Sequence, residues 1–157
     1  MIAVLQRAAS AAVRVDEKTV GEIGKGLLIL LGVAEGDTKE DAELLARKIL
    51  ACRIFCDEND KMNLSVRDVQ GGVLVVSNFT LLANYAHGNR PDYMRAAKPN
   101  EANKLYEYFV DLIRLDGTEV QTGEFGADMR VHLVGDGPVT IVMDSNELKK
   151  KKKEKGT

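Results

Sequence analysis

The residue types best suited to chemistry stand at Ser77-Asn78-Phe79-Thr80-Leu81, where a very apolar run ends abruptly in hydroxyl and amide side chains around one aromatic. Strand ends are where α/β proteins turn backbone amides towards ligands, so this pattern suits hydrogen bonding to a carbonyl or a developing oxyanion. A plain polar exit into the next loop uses the same residue types, and composition leaves both readings open. The second unusual stretch is Gly135-Asp136-Gly137-Pro138-Val139-Thr140, a Gly-Pro bond just ahead of a strand, which on residues alone is a turn. Familiar catalytic devices are excluded by spacing: there is no P-loop, no G-x-G-x-x-G, no H-E-x-x-H and no Cys-x-x-Cys. Gly21-Glu22-Ile23-Gly24 matches a GXXG clamp only superficially, because an acid stands where a phosphate would sit. His87 and His132 lack a readable catalytic partner, and Cys52 and Cys56, spaced C-x3-C, read as two buried free thiols.

These residues need elements to hold them. Residues 2–7, 11–15, 20–23 and 27–33 read as strands, the last apolar on both sides like a buried central strand. A helix should follow from Asp37, with Glu40 three residues on as in a capping box, and Ala42, Leu45, Ala46, Ile49 and Leu50 on one face. Residues 53–56 and 73–79 read as strands, 84–98 as a polar loop. Pro99-Asn100 opens a second helix whose stripe of Leu105, Tyr106, Phe109, Leu112 and Ile113 is core, ending near Asp116-Gly117. Strands at 119–122, 129–134 and 139–143 complete an α/β chain, strand-rich, with mixed but mostly antiparallel sheets and two main helices.

At 157 residues, 45% apolar and 29% charged, with no repeat or internal linker, the chain reads as one globular domain over 1–146. The net charge of −2 conceals a lysine-rich tail over 147–157, expected to be solvated and disordered; without the six lysines and one glutamate of 149–155 the rest carries about −7. So acidic a body argues against gripping long stretches of phosphate backbone, while a ligand met at one small spot stays allowed. With no apolar run near the length of a membrane span, and Arg7 where a signal peptide would be apolar, the expectation is a soluble, cytoplasmic protein.

Across essentially the whole of residues 1–144 the chain resembles the D-aminoacyl-tRNA deacylase family. The matching stretches include Gly26-Leu27-Leu28-Ile29-Leu30-Leu31-Gly32-Val33, Arg53-Ile54-Phe55, Lys61-Met62-Asn63-Leu64, Arg90-Pro91, Gln121-Thr122-Gly123, Ala127-Asp128-Met129 and, most specific, Gly137-Pro138-Val139-Thr140 together with Ser77-Asn78-Phe79-Thr80-Leu81. One departure stands out: the family's Ser-Gln-Phe-Thr-Leu carries Asn78 in place of glutamine, the same donor and acceptor types with one methylene less reach. The lysine tail also lies outside the family pattern.

The resemblance implies a barrel-like fold and a homodimer that hydrolyses the ester of D-aminoacyl-tRNA without metal or cofactor. It also implies a cis Gly137-Pro138 bond inserted into the partner subunit's pocket. Such a bond sets two carbonyl oxygens side by side to hold an α-ammonium group, so that an L side chain would strike the wall they form. Glycine has no side chain to reject, so glycyl-tRNA, including glycine mischarged on the alanine tRNA, should be cleaved as well. By the same resemblance, Ser77, Asn78, Phe79 and Thr80 form the catalytic strand end, with the Phe79 and Thr80 amides facing the oxyanion. Thr80 is then either the nucleophile or a positioning group for water assisted by the ribose 2′-hydroxyl, the second being favoured because no base is in view. Met129 and Phe79 would line the pocket and Arg7 would brace the Gly-Pro loop; read as residues, the first two fit a core and Arg7 a solvated edge charge. The rival reading is a non-catalytic aminoacyl-tRNA binding module, with Asn78 the first suspect.

Overall fold

Alternation sets the centre of the fold. Along β3 (Gly26–Gly32) Leu27, Ile29 and Leu31 join one apolar cluster while Leu28 and Leu30 turn towards another, so the strand is apolar on both sides because both are covered. The structure, a computed structural model, describes residues 1–154. β1 (Ile2–Val15) runs antiparallel to β3 through its first half and to β2 (Lys18–Ile23) through its second. β4 (Phe55–Cys56) and β5 (Met62–Leu64) form a separate small ladder. β6 (Gly72–Ser77) lies parallel to β3, and β7 (Val120–Thr122) parallel to β6, giving the order β2-β1-β3-β6-β7.

β8 (Arg130–Asp144) pairs antiparallel with β1 along almost its whole length. The two pairs of short strands expected at 2–7 with 11–15, and at 129–134 with 139–143, are therefore two continuous strands. Their pairing becomes irregular between Gln6 and Ser10, where β8 carries extra residues around Gly137. Extra residues in one strand leave its partner's ladder unbroken elsewhere and push the local segment outward. The sheet nearly closes into a barrel where β2 meets β7: a Cβ on Gly21 would stand 2.3 Å from the Thr122 carbonyl oxygen, so only glycine lets the two backbones approach. Ala8, Val13, Ile23, Leu74 and Val76 fill the inside. Outside, α1 (Lys39–Leu50) and α2 (Pro99–Leu115) pack side by side over the larger cluster built on Leu5, Ile29, Val75 and Phe109.

Three expectations are corrected. The helix cap is Thr38, whose amide donates to Asp41 Oδ2 at 2.8 Å, while Asp37 instead takes the Ala34 amide and pairs with the Met1 ammonium nitrogen at 2.7 Å. The cysteines are free but not both buried, since Cys56 follows buried Phe55 on a strand and so faces outward; partial burial still pushes the Cys52 thiol up. The segment expected to be disordered from 147 continues as a third helix, α3 (Ser145–Glu154), because Leu148 packs on the main core and Lys149 pairs with fully buried Asp41 at 2.7 Å. The last residues of the lysine tail, 155–157, lie outside the described residues. No helix among the described residues is long and apolar enough to cross a membrane.

Candidate active site

The apolar β6 ends at Ser77 because the chain turns there. Asn78 keeps one ladder bond, its amide donating to the Leu31 carbonyl at 2.8 Å, and then caps a 3-10 turn, Phe79–Leu82. Its side-chain oxygen accepts the Thr80 amide at 3.2 Å and also receives the Thr80 hydroxyl. The amide can only donate, so the atom facing it is Oδ1, and an oxygen without a proton obliges the hydroxyl to donate too. Asparagine is among the best residues for this cap; its short side chain reaches the amide two residues on. The Phe79 amide makes no hydrogen bond among the described residues.

This strand end forms one wall of a cavity of about 580 Å³. Ser77, Asn78, Phe79 and Met129 all line it, as do Tyr93 and Phe125, which no sequence pattern singled out. Phe79 stands 58% exposed, its ring edge-on to Tyr93 at 5.0 Å between centroids. Phe125 leans on Tyr106, whose hydroxyl donates to the Val75 carbonyl at 2.9 Å; burial pushes the Tyr106 phenol up to about 12. Met129 fits beside Gly123, where a Cβ would come within 2.6 Å of its sulfur. The wall is chiefly apolar, and its polar groups converge at the end of β6. Among the described residues no cluster of three His, Cys, Asp or Glu is placed to share a metal.

Gly137 and Pro138 do not line this cavity. They stand exposed on β8, joined by a cis bond. Gly137 has φ +150, and a Cβ there would lie 2.4 Å from the Val139 nitrogen, so the position accepts no side chain. Arg7 sits opposite, largely covered: Nε donates to the Asp136 carbonyl at 2.9 Å and Nη1 to the Ile54 carbonyl at 2.8 Å. It is thus tied at both ends of its guanidinium, not a solvated edge charge. The structure places Ser77, Asn78, Phe79 and Met129 on the cavity wall, holds Thr80 beside them through Asn78 without bringing it into the lining, and puts Arg7, Gly137 and Pro138 in a second group, outside the cavity of the same chain.

Comparison with known proteins matches both groups. The family model described as D-Tyr-tRNA(Tyr) deacylase matches residues 4–144. A D-aminoacyl-tRNA deacylase of Geobacter sulfurreducens is 56% identical over 92% of this chain and 95% of its own length. That of Thermotoga petrophila is 55% identical over 94% of this chain and 99% of its own. Among solved structures, a protein titled c-Myc DNA Unwinding Element Binding Protein superposes with a TM-score of 0.87 at 39% identity, covering 92% of this chain and 98% of that one. A probable eukaryotic D-amino acid tRNA deacylase shares the fold with a TM-score of 0.77 at 17% identity, covering 91% and 98%. With its strand-end pocket and its glycine-proline loop both inside the matched span, the chain belongs to the D-Tyr-tRNA(Tyr) deacylase family.

Proposed function

We propose that two copies of this chain form a homodimer in which each pocket is completed by the partner's Gly137-Pro138 loop. As a member of its family the chain is a D-aminoacyl-tRNA deacylase, an ester hydrolase. Its pocket takes the terminal adenosine and amino acid of the tRNA, reached in the cytoplasm. The partner's Gly137 and Pro138 carbonyls hold the α-ammonium group, an L side chain is turned into that wall, and a D side chain points away. Glycine passes as well, including glycine mischarged on the alanine tRNA.

The Phe79 amide receives the oxyanion of the tetrahedral intermediate, joined by the Thr80 amide when the carbonyl displaces Asn78 Oδ1. Water is the nucleophile, assisted by the ribose 2′-hydroxyl. Thr80 positions: its proton is directed at an amide oxygen, far too weak a base to activate a hydroxyl for attack. The observation that carries the reading is the separation of the two groups: a pocket with a donor at its strand end, and a braced, exposed Gly137-Pro138 loop that its own pocket does not use. Deacylation of matched D-tyrosyl-, L-tyrosyl- and glycyl-tRNA tests it. D-tyrosyl- and glycyl-tRNA should be cleaved and L-tyrosyl-tRNA left intact; cleavage of the L form at a similar rate, or an untouched glycyl ester, refutes selection by main-chain carbonyls. Binding of D-tyrosyl-tRNA without cleavage would instead favour the non-catalytic module, with Asn78 the residue to restore to glutamine.

A further inference from the structure

The aromatic rings that the fold leaves exposed all fall in one stretch of chain. The sequence holds four phenylalanines and four tyrosines, and the exposed ones are Phe79, Tyr85 and Tyr93. Phe79 and Tyr93 meet at the pocket mouth. Tyr85 stands beyond them, 77% exposed, and no hydrogen bond or ring contact holds it among the described residues. Yet the loop that carries it is tightly anchored. Asn84 and Asp92 exchange backbone hydrogen bonds of 2.8 and 2.9 Å, and their side chains bond at 3.0 Å. The Asn84 side chain also accepts the Ala86 amide, the Asp92 side chain accepts the Met94 amide, and Arg95 reaches back to the Ala83 carbonyl at 3.0 Å. The neck of the loop therefore joins Tyr85 to Tyr93 through one pair of residues, and the ring is displayed from a fixed base.

A displayed ring with nothing to cover it costs free energy in water unless it meets a partner, and presenting it from an ordered loop lowers the entropy lost on binding. Charge indicates which partner. Residues 83–98 carry Arg90, Arg95 and Lys98 against a single acid, Asp92, whose carboxylate is already engaged, while the rest of the body is acidic. Exposed aromatics interleaved with cations suit single-stranded nucleic acid, whose bases stack on rings and whose phosphates meet Arg and Lys.

We propose that Tyr85 is a stacking platform for the unpaired nucleotides that precede the terminal adenosine of the tRNA, with Arg90 and Lys98 meeting the phosphates between them. The proposal rests on the deacylase reading above and adds a second contact to it, outside the pocket. Two substrates separate the contact from the chemistry: D-tyrosyl-tRNA, and the D-tyrosyl ester of adenosine alone, which fills the pocket but cannot reach Tyr85.

In Tyr85→Ala the KM for D-tyrosyl-tRNA should rise at least about fivefold with kcat unchanged, the order expected for loss of one stacked base, and the KM for the adenosine ester should not move. Tyr85→Phe should behave as the parent, since stacking needs the ring and not the hydroxyl. Equal KM changes for both substrates, no change for either, the same loss in Tyr85→Phe, or a shift of sedimentation coefficient in Tyr85→Ala would overturn the proposal; the last would assign the ring to a contact between copies. Binding of an uncharged single-stranded oligonucleotide ending in CCA gives a readout without hydrolysis. Its affinity should fall about fivefold in Tyr85→Ala, and an unchanged affinity overturns the platform even in a protein that cleaves neither ester.

Discussion

At the scale of single residues, Thr80 and Asn78 decide how the ester is attacked. A hydroxyl that donates to an amide oxygen keeps its proton. Thr80→Ala should therefore keep kcat for D-tyrosyl-tRNA within about tenfold of the parent, because removing one positioning hydrogen bond costs roughly 0.5–1.5 kcal/mol. Near-complete loss of turnover with binding intact would make Thr80 the nucleophile. Of this site, the strand end stood out in the sequence as an apolar β-branched run that stops in Ser, Asn and Thr, but a plain polar exit shares those residue types, and it took the family resemblance to prefer a site. Tyr93 and Phe125 were not. They come from loops with no periodicity of their own, and only the closure of the sheet brings them opposite Phe79. Arg7 was ambiguous for a related reason: the groups that fix it, the carbonyls of Ile54 and Asp136, lie 47 and 129 residues away.

At the scale of elements, α3 changes what the C-terminal segment does. Burial pushes the Asp41 carboxyl up, but hydrogen bonds from Lys149, Ser145 and the Thr38 backbone outweigh it and hold the group at about 2, against 3.8 ordinarily. A carboxyl lowered on folding stabilises the folded state fully above the ordinary value, and that contribution is lost as the pH falls from about 4 towards 2. It amounts to about 2 kcal/mol. Lys149→Met should cost roughly 1–3 kcal/mol in urea denaturation at neutral pH and move the acid-unfolding midpoint upward, with kcat for D-tyrosyl-tRNA unchanged. An unmoved acid midpoint would mean that Lys149 is only a solvated charge, as its lysine-rich surroundings suggested. That is why the sequence misled here: six lysines and one glutamate over residues 149–155 report polarity, whereas the anchor is one buried carboxylate more than a hundred residues earlier. The strands were easier, since alternation names faces directly. Their continuity was not, because Ala8-Ala9-Ser10 and Gly135-Asp136-Gly137-Pro138 hold no β-branched or aromatic residue to read as strand until β1 and β8 lie together.

At the scale of the whole molecule, the proposed division of labour between copies has a numerical signature. A Gly137→Ala chain keeps its pocket but loses its loop, because the added Cβ meets the Val139 nitrogen. An Ala102→Trp chain fills its pocket and keeps its loop. Each should be inactive alone; mixed in equal amounts and allowed to exchange subunits, they should recover about a quarter of parental activity, since half the dimers are mixed and each mixed dimer has one complete site. No recovery would place loop and pocket in the same chain. The close approach at Gly21 also bears on assembly. With β2 and β7 drawn so close that no strand fits between them, the side of β8 turned away from β1, near Val134 and Val142 that face water, is a border of the sheet left open to strand addition. Whatever docks there by strand addition uses that border up, so growth by this route halts at a pair and has no second face from which to lengthen into a fibre.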